Sequence, residues 1–570
     1  MKTIRRIISP EILFHIMVLL SVIFYLQLKY TPNMDAPQHL YNANVIKQLL
    51  FSNDTFSQFF EINSIIVGYW IGHAVLSLGS LLFPGFIAEK ITIILYIIGI
   101  SYSFKYLVSY NKIKGSYIIF FIFPFTYSFY ALSGYYSFSY AAIFFFLFFG
   151  YYLRNEMQLN KNKAIVLAVI LLLSFLSHAF VYAITCLSIF IFWISSFLID
   201  LYAKKGEAIK TNLRKALFLL GAALPSLLLF ARYMVHIRSI NSAVGEQGES
   251  VASLASQLFK IRPIIGFHFG IEQISTYVFM ALIILLILVV YKGIRKPSEL
   301  ITQNNIWLVI ALVLLGLYFL LPDRITAGNL THRIGLFFFY VLIIWLNQFR
   351  YPKWIEYSAL ILITVFFIRQ RVYHFSVYKG LNESVAQIEQ VKDKIEPNST
   401  LLPILEKTNW NHNHFLCYLA IDNKTIYLKN PQAQGKFPVV WNYDQLPYLF
   451  LGHENELHFS YKFEKDSKHK AEVIKYIAIF DYRVYKEKKN FEKKKKVLDK
   501  YYEEIARSED NSCVLYKFSM KDQLQDIYKR VSEDPTEYID LLKKKDKEMM
   551  LSQDAKHKVM AIRALESGIK

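Results

Sequence analysis

The stretch Met34-Asp35-Ala36-Pro37-Gln38-His39 sets a carboxylate, a proline and an imidazole within six residues. Pro37 fixes φ and suits the first turn of a helix. Asp35 then falls at the N-cap, where free backbone amides and the helix dipole favour a negative charge. A carboxylate in that place can simply cap the helix, act as a general base on a hydroxyl, or ligate a divalent cation. His39 follows one helical turn later and can face the same side. Leu40, Ile46, Leu49 and Leu50 continue as an apolar stripe, which predicts a short helix lying on a membrane surface. Farther along, His178 interrupts the apolar run "LLLSFLSHAF", and "PDRITAGNLTHRIG" gathers Arg324, His332 and Arg333 around Gly328. Ionisable groups at the edge of apolar segments face water or protein, and arginine forks suit phosphate. His73, inside "YWIGHAVL", is expected in helix packing.

The elements that must hold these groups are mostly membrane helices. The 570 residues are 54% hydrophobic and 16% aromatic, with mean hydropathy +0.29. Runs such as "AIVLAVILLLSFLS" and "TYVFMALIILLILVVY" approach the roughly 20 apolar residues that cross hydrocarbon. The pattern predicts spans near 12–28, 65–82, 87–108, 117–132, 138–153, 164–180, 181–201, 217–235, 273–291, 305–321, 334–347 and 354–371. The first follows "MKTIRR" without a small-residue cleavage site and is read as a retained signal anchor, its start in the cytoplasm. Loops rich in Lys and Arg, "RNEMQLNKNK", "YAKKGEAIKTNLRK", "YKGIRKPSEL" and "QFRYPK", mark the cytoplasmic side. The loop 29–64, His178, residues 236–272 and 322–333, and everything beyond about 372 then lie outside. Twelve crossings conflict with a cytoplasmic start and an external tail, which need an odd number. The "FPG" hairpin at 83–85 and the Lys-bearing stretch 105–115 are the suspects, and eleven or thirteen crossings satisfy the parity.

Residues 372–520 change in character. "STLLPILE", "KTIYLKN", "KYIAIFDYRVY" and "CVLYKF" read as strands, with helices expected over "HNHFLCYLAI" and "FEKKKKVLDKYYEEIARSED". Strands alternating with helices predict an α/β domain, followed by a charged helical extension at 521–570. Cys417 and Cys513 lie in that tail, leaving a disulfide open there.

A cytoplasmic start, one span, then an external loop with an acid leading into a surface helix resembles the GT-C class of membrane glycosyltransferases. The order of "VGYWIGHAVLSLGSLLFPGFIAEKI", "FPFTYSFYALSGYYSFSYAAIFFFLFFGYYLR", "LLLSFLSHAF", "LPDRITAGNLTHRIGLFFFYVLIIWL" and "HFLCYLAIDNKTIYLKNPQAQGKFPVVWN" resembles a bacterial GT-C-like group over about residues 30–445. The resemblance implies an α-helical polytopic membrane protein of 11–13 transmembrane helices with a C-terminal extracytoplasmic α/β domain. It would sit in the bacterial cytoplasmic membrane. It implies inverting transfer of a sugar from a polyprenyl-phosphate donor to an extracytoplasmic glycan, lipid or protein. On that pattern Asp35 is the base or the ligand of a divalent cation such as Mg or Mn. Arg333, with Arg324, neutralises the donor phosphate, and His39, His178 and His332 line the substrate site. Family members with an acidic pair have a second carboxylate where this chain has Ala36, which leaves metal dependence open. The same departure, with the polar C-terminal extension, leaves a rival: a non-catalytic scaffold or subunit of an envelope assembly or export complex.

Other classes lack their signatures. No GxxxxGK[ST] P-loop and no GxGxxG dinucleotide loop is present. The formal charge of +20 comes without a nucleic-acid recognition module. No internal repeat suggests a transporter, and "HNH" at 412–414 lacks the ββα context of a nuclease.

Overall fold

The apolar runs fold as helices, because backbone amides in hydrocarbon must find their partners within the segment. A computed structural model describes residues 9–110, 116–203, 206–240, 249–266, 269–295, 302–322, 329–405, 409–433, 435–442, 445, 448–450, 471–487, 491, 495, 498–499 and 502–519. Among them, seven helices are long and apolar enough to cross a membrane: Gly85–Val108, Tyr136–Gln158, Ala179–Tyr202, Ile209–Ser239, Ile271–Arg295, Gln303–Leu320 and Lys353–Lys394. Pro10–Leu26, Trp70–Leu82, Tyr117–Leu132 and Leu330–Leu346 are shorter apolar helices, and Lys161–Ser177 is a further helix. The chain is a helical membrane protein with a strand-containing C-terminal region.

One expected span is broken. Tyr117–Ile122 is a 3-10 helix, Phe123–Thr126 a single α-helical turn with Pro124 in its first turn, and Phe129–Leu132 a second short turn. Pro124 has no amide hydrogen, so the helix cannot run through it with full bonding.

The described residues divide into two units, one drawn from Met1–Leu28, Gly68–Gly72 and Lys90–Tyr378, the other from Lys29–Val67, His73–Glu89 and Lys379–Lys570. In the first unit, Leu330–Leu346 is buried along its whole length, as a helix apolar on every side must be. It packs on Ile306–Leu320, while Lys161–Ser177 packs on Tyr136–Asn155 and on Gly206–Ile240. Gly206–Ile240 turns Leu217, Leu220, Leu224 and Leu228 outward at helical spacing, a face suited to lipid.

The second unit carries the strands, β1 (Phe60–Ile62), β2 (Ser399–Leu405), β3 (Thr425–Tyr427), β4 (Val439–Trp441), β5 (Tyr448–Phe450), β6 (Ala471–Val473), β7 (Tyr476–Phe480), β8 (Tyr502–Arg507) and β9 (Cys513–Phe518). Five form a sheet in the order β3-β2-β7-β9-β8. β2 runs parallel to β3 and β7, while β9 is antiparallel to β7 and β8. β7 is buried at all five residues, which is why "YIAIF" reads as continuously apolar rather than alternating. The loop after the first span joins this unit. β1 pairs antiparallel with β4, placing Phe60 opposite Trp441, and their rings stack at 4.4 Å.

Three local expectations change. "YEEIAR", expected at the end of a charged helix, is β8, with Tyr502 buried and a register shift between Glu504 and Ala506; pairing with β9 overrides its helix propensity. "HNHFLCYLAI" holds two 3-10 turns, Trp410–His412 and Phe415–Leu419. Cys417 and Cys513 are free thiols, so the disulfide left open by the sequence is not made.

Candidate functional site

In the second unit, the helix Ala36–Leu50 starts at Pro37 as expected, with Asp35 at its N-cap position. Residues 36–46 are all buried, so Leu40 and Ile46 of the stripe expected to lie on lipid are covered by protein, while Leu50 is exposed. Buried amides fix the helix. Gln38 Nε2 donates to Asn430 Oδ1 at 2.9 Å, Asn430 Nδ2 to Asn42 Oδ1 at 2.7 Å, and Asn42 Nδ2 to Gln432 Oε1 at 2.9 Å. Gln38 and Asn42, one turn apart, thus share one short segment of the tail. The Cys417 thiol adds a weak bond to Gln38 Oε1 at 3.5 Å, and Tyr41 OH receives the Tyr427 amide at 2.8 Å. A fully satisfied buried network of this kind specifies one orientation.

That orientation aims Asp35. Its side chain makes no capping bond, contrary to the simple cap reading. The backbone carbonyl accepts from the Gln38 and His39 amides instead. The carboxylate is 19% exposed and lies 3.7 Å from His414 Nε2. Asn413 Nδ2 sits 2.8 Å from the same nitrogen. One turn into the helix, His39 Nδ1 lies 3.3 Å from His73 Nε2, and Phe437 packs against both imidazoles. Burial holds His39 well below the usual histidine range, with His73 and His414 adding to the effect, so His39 is neutral at physiological pH. Asp35, His39, His73 and His414 form a partly exposed carboxylate backed by buried imidazoles. Sequence reasoning found Asp35 and His39. It put His73 in packing and His414 in a helix start, because nothing local announces their partners, His39 34 residues before His73 and Asp35 hundreds of residues before His414.

In the first unit the structure brings His178 and Arg333 together. His178 joins the helices Lys161–Ser177 and Ala179–Tyr202 in an extended conformation. Arg333 Nη1 donates to its Nε2 at 3.0 Å, which places the imidazole proton on Nδ1. Arg333 is only 5% exposed. Its guanidinium lies 5.5, 5.5 and 5.2 Å from the rings of Tyr130, Tyr135 and Phe138, so it is caged by aromatic faces rather than reaching for an interface. Tyr69 packs edge-on against His178 at 4.9 Å. Its own backbone is left-handed, φ 73°, a costly state for a tyrosine. The Tyr69 amide donates to Ser177 O at 2.9 Å, and Ser137 Oγ donates to Tyr69 O at 3.0 Å, which hold it there. His332 Nε2 meets Gln257 Oε1, while Arg324 lies outside the described residues.

Asp35 and His39 therefore belong to one unit, and His178, His332 and Arg333 to the other. Among the described residues no group of three or more His, Cys, Asp or Glu side chains is placed to hold a metal ion. The donor set around Asp35 is imidazole-rich rather than the all-oxygen set that Mg or Mn takes. No protein-family model matches the chain, and no curated protein matches it.

Proposed function

We propose that this membrane protein is a glycosyltransferase of the GT-C kind, moving a sugar from a polyprenyl-phosphate donor to a hydroxyl acceptor outside the cytoplasm. The observation that carries the reading is Asp35: a carboxylate released from capping, partly open to solvent, held beside His414 by a helix that buried amides lock in place. Asp35 takes the proton of the acceptor hydroxyl as its oxygen attacks the anomeric carbon. The bond from that carbon to the phosphate oxygen breaks, with inversion, and the lipid phosphate leaves with the electron pair. A cationic side chain neutralises the charge on the leaving phosphate. His414, 3.7 Å from the Asp35 carboxylate, is a positioning residue that orients it.

Helix lengths support one arrangement in the membrane. Trp70–Leu82 has 13 residues, about 20 Å of helix against about 30 Å of hydrocarbon. Residues 73–89 also belong with the tail rather than with the main bundle. Setting this helix aside leaves eleven crossings, an odd number, with every basic loop, 109–116 included, on the cytoplasmic side.

The test is transfer by purified protein from a polyprenyl-phosphate sugar. Asp35→Asn should lower turnover by at least about a hundredfold; full activity in that variant removes Asp35 from the chemistry. The rival is a non-catalytic scaffold of an envelope complex, favoured by Ala36 standing where acidic-pair members carry a second acid. Failure of the wild type with every donor offered would support it.

A further inference from the structure

Arg371 lies on the long helix Lys353–Glu389, 4% exposed. Its Nη1 donates to Gln370 Oε1 at 3.2 Å, and its Nη2 to Ser21 Oγ and Thr126 Oγ1 at 3.4 Å each. The guanidinium lies over the Tyr127 ring and 4.5 Å from that of Phe367. These partners are all neutral, and Nε has no hydrogen-bond partner among the described residues. Ser21 and Thr126 direct their own hydroxyl hydrogens to Met17 O and Phe123 O, so toward the arginine they act only as acceptors. Arginine stays charged at any accessible pH, and a buried charge is costly unless an opposite charge meets it. Inside a membrane-spanning helix such a residue marks a ligand site by default.

The backbone beside it points the same way. Arg371 sits at the break in Tyr117–Leu132, where Gln370 Nε2 donates to Pro124 O at 3.2 Å and Tyr127 OH donates to Ser21 O. His374 stacks parallel to Tyr127 from the next turn of its helix. Irregular backbone within a membrane-spanning unit occurs where it is buried or lines a cavity, and broken helices are where membrane proteins hold polar ligands. Arg371's own helix also turns Val365, Ile368 and Val372 outward, and the neighbouring Pro10–Leu26 turns out Leu19, Leu20 and Ile23. These apolar faces suit the acyl chains of a lipid ligand.

We propose that Arg371 anchors a phosphate-binding site at this helix break, its planar fork taking a phosphate oxyanion carried by a lipid headgroup or free in solution. The anion supplies the charge that the neutral partners lack. The site shares no residue with the glycosyl-transfer reading and does not depend on it.

The experiment titrates the purified full-length chain in a sugar-headgroup detergent with phosphatidic acid or inorganic phosphate. Binding is read by native mass spectrometry and by phosphorus NMR. The wild type should hold one phosphatidic acid, with affinity falling at least about tenfold in Arg371→Gln and unchanged in Arg369→Gln, a neighbour whose side chain is exposed. Displacement by inorganic phosphate identifies free phosphate as the ligand, and retention against it identifies the lipid ester; both uphold the site. An equal adduct in Arg371→Gln overturns it. So does the absence of any bound phosphorus signal on the wild type, a result that stands whether or not the variant folds.

Discussion

Asn42→Ala tests whether buried amides, rather than apolar packing, seat the helix that carries Asp35. Asn42 is fully buried. It donates to Gln432 Oε1 at 2.9 Å and accepts from Asn430 Nδ2 at 2.7 Å. Alanine removes both bonds and leaves two groups buried in the tail without partners. Each orphaned group costs about 1–3 kcal/mol, so the helix should lose about 2–6 kcal/mol of local stability. Hydrogen exchange measured by mass spectrometry reads this directly. Peptides covering Ala36–Leu50 should exchange roughly 30-fold faster or more, while peptides in Leu330–Leu346 stay unchanged. Adding Gln432→Met should recover part of the loss, because it removes one unmatched acceptor and keeps the volume. Exchange within about threefold of wild type in Asn42→Ala would show that the network contributes little and that packing holds the helix alone.

Three further outcomes follow. His39 is held below its ordinary range in the folded chain, so below about pH 6.5 the unfolded state takes up a proton that the folded state refuses; protection of Ala36–Leu50 should fall from pH 7.5 to 5.5 by up to about 1.4 kcal/mol per pH unit, and His39→Gln should flatten that slope. Gly72 leaves no room for a side chain, since a Cβ there would stand 2.6 Å from Ser137 Oγ and 3.0 Å from its amide; Gly72→Ala should cost about 1–3 kcal/mol, read as a lower midpoint of thermal unfolding in detergent. Cys417 and Cys513 are fully buried, and burial pushes both thiols up, Cys513 to about 12; neither should react with maleimide until the chain is denatured, and labelling of the native protein at either position would contradict their placement.

The membrane helices were legible because hydrocarbon demands long apolar runs: all twelve expected spans correspond to helices, the one at Tyr117–Leu132 interrupted by Pro124 and Trp70–Leu82 a short one, and among the described residues seven are long and apolar enough to cross a membrane. Pro37 marked the start of Ala36–Leu50, and the pairing of His178 with Arg333 joins two residues that each stood out as charge-bearing at an apolar edge. What stayed hidden depends on contacts distant in sequence. His414 meets Asp35, and Asn430 meets Asn42, across most of the chain, and neither segment has a period that reveals the other. Gln38 and Asn42 did carry a signal, two amides one turn apart on the same helix. "YEEIAR" misled for the opposite reason: its charges suit an exposed helix, and only the neighbouring β9 makes it a strand. Arg371 was passed over because it follows Gln370 at the expected edge of the last span, where an arginine ordinarily reaches toward water.

The pairing of Phe60 with Trp441 sets a timetable for biosynthesis. The two residues are 381 positions apart, 441 less 60, and a ribosome working at about 5–20 residues per second needs roughly 20–75 s to add them. For that interval the segment that carries Asp35 emerges without the strand and amides it will later join. Whatever receives the nascent chain outside the membrane must keep that segment from aggregating until the last strands arrive, so truncated chains ending before residue 441 should be substrates for quality control rather than folded intermediates.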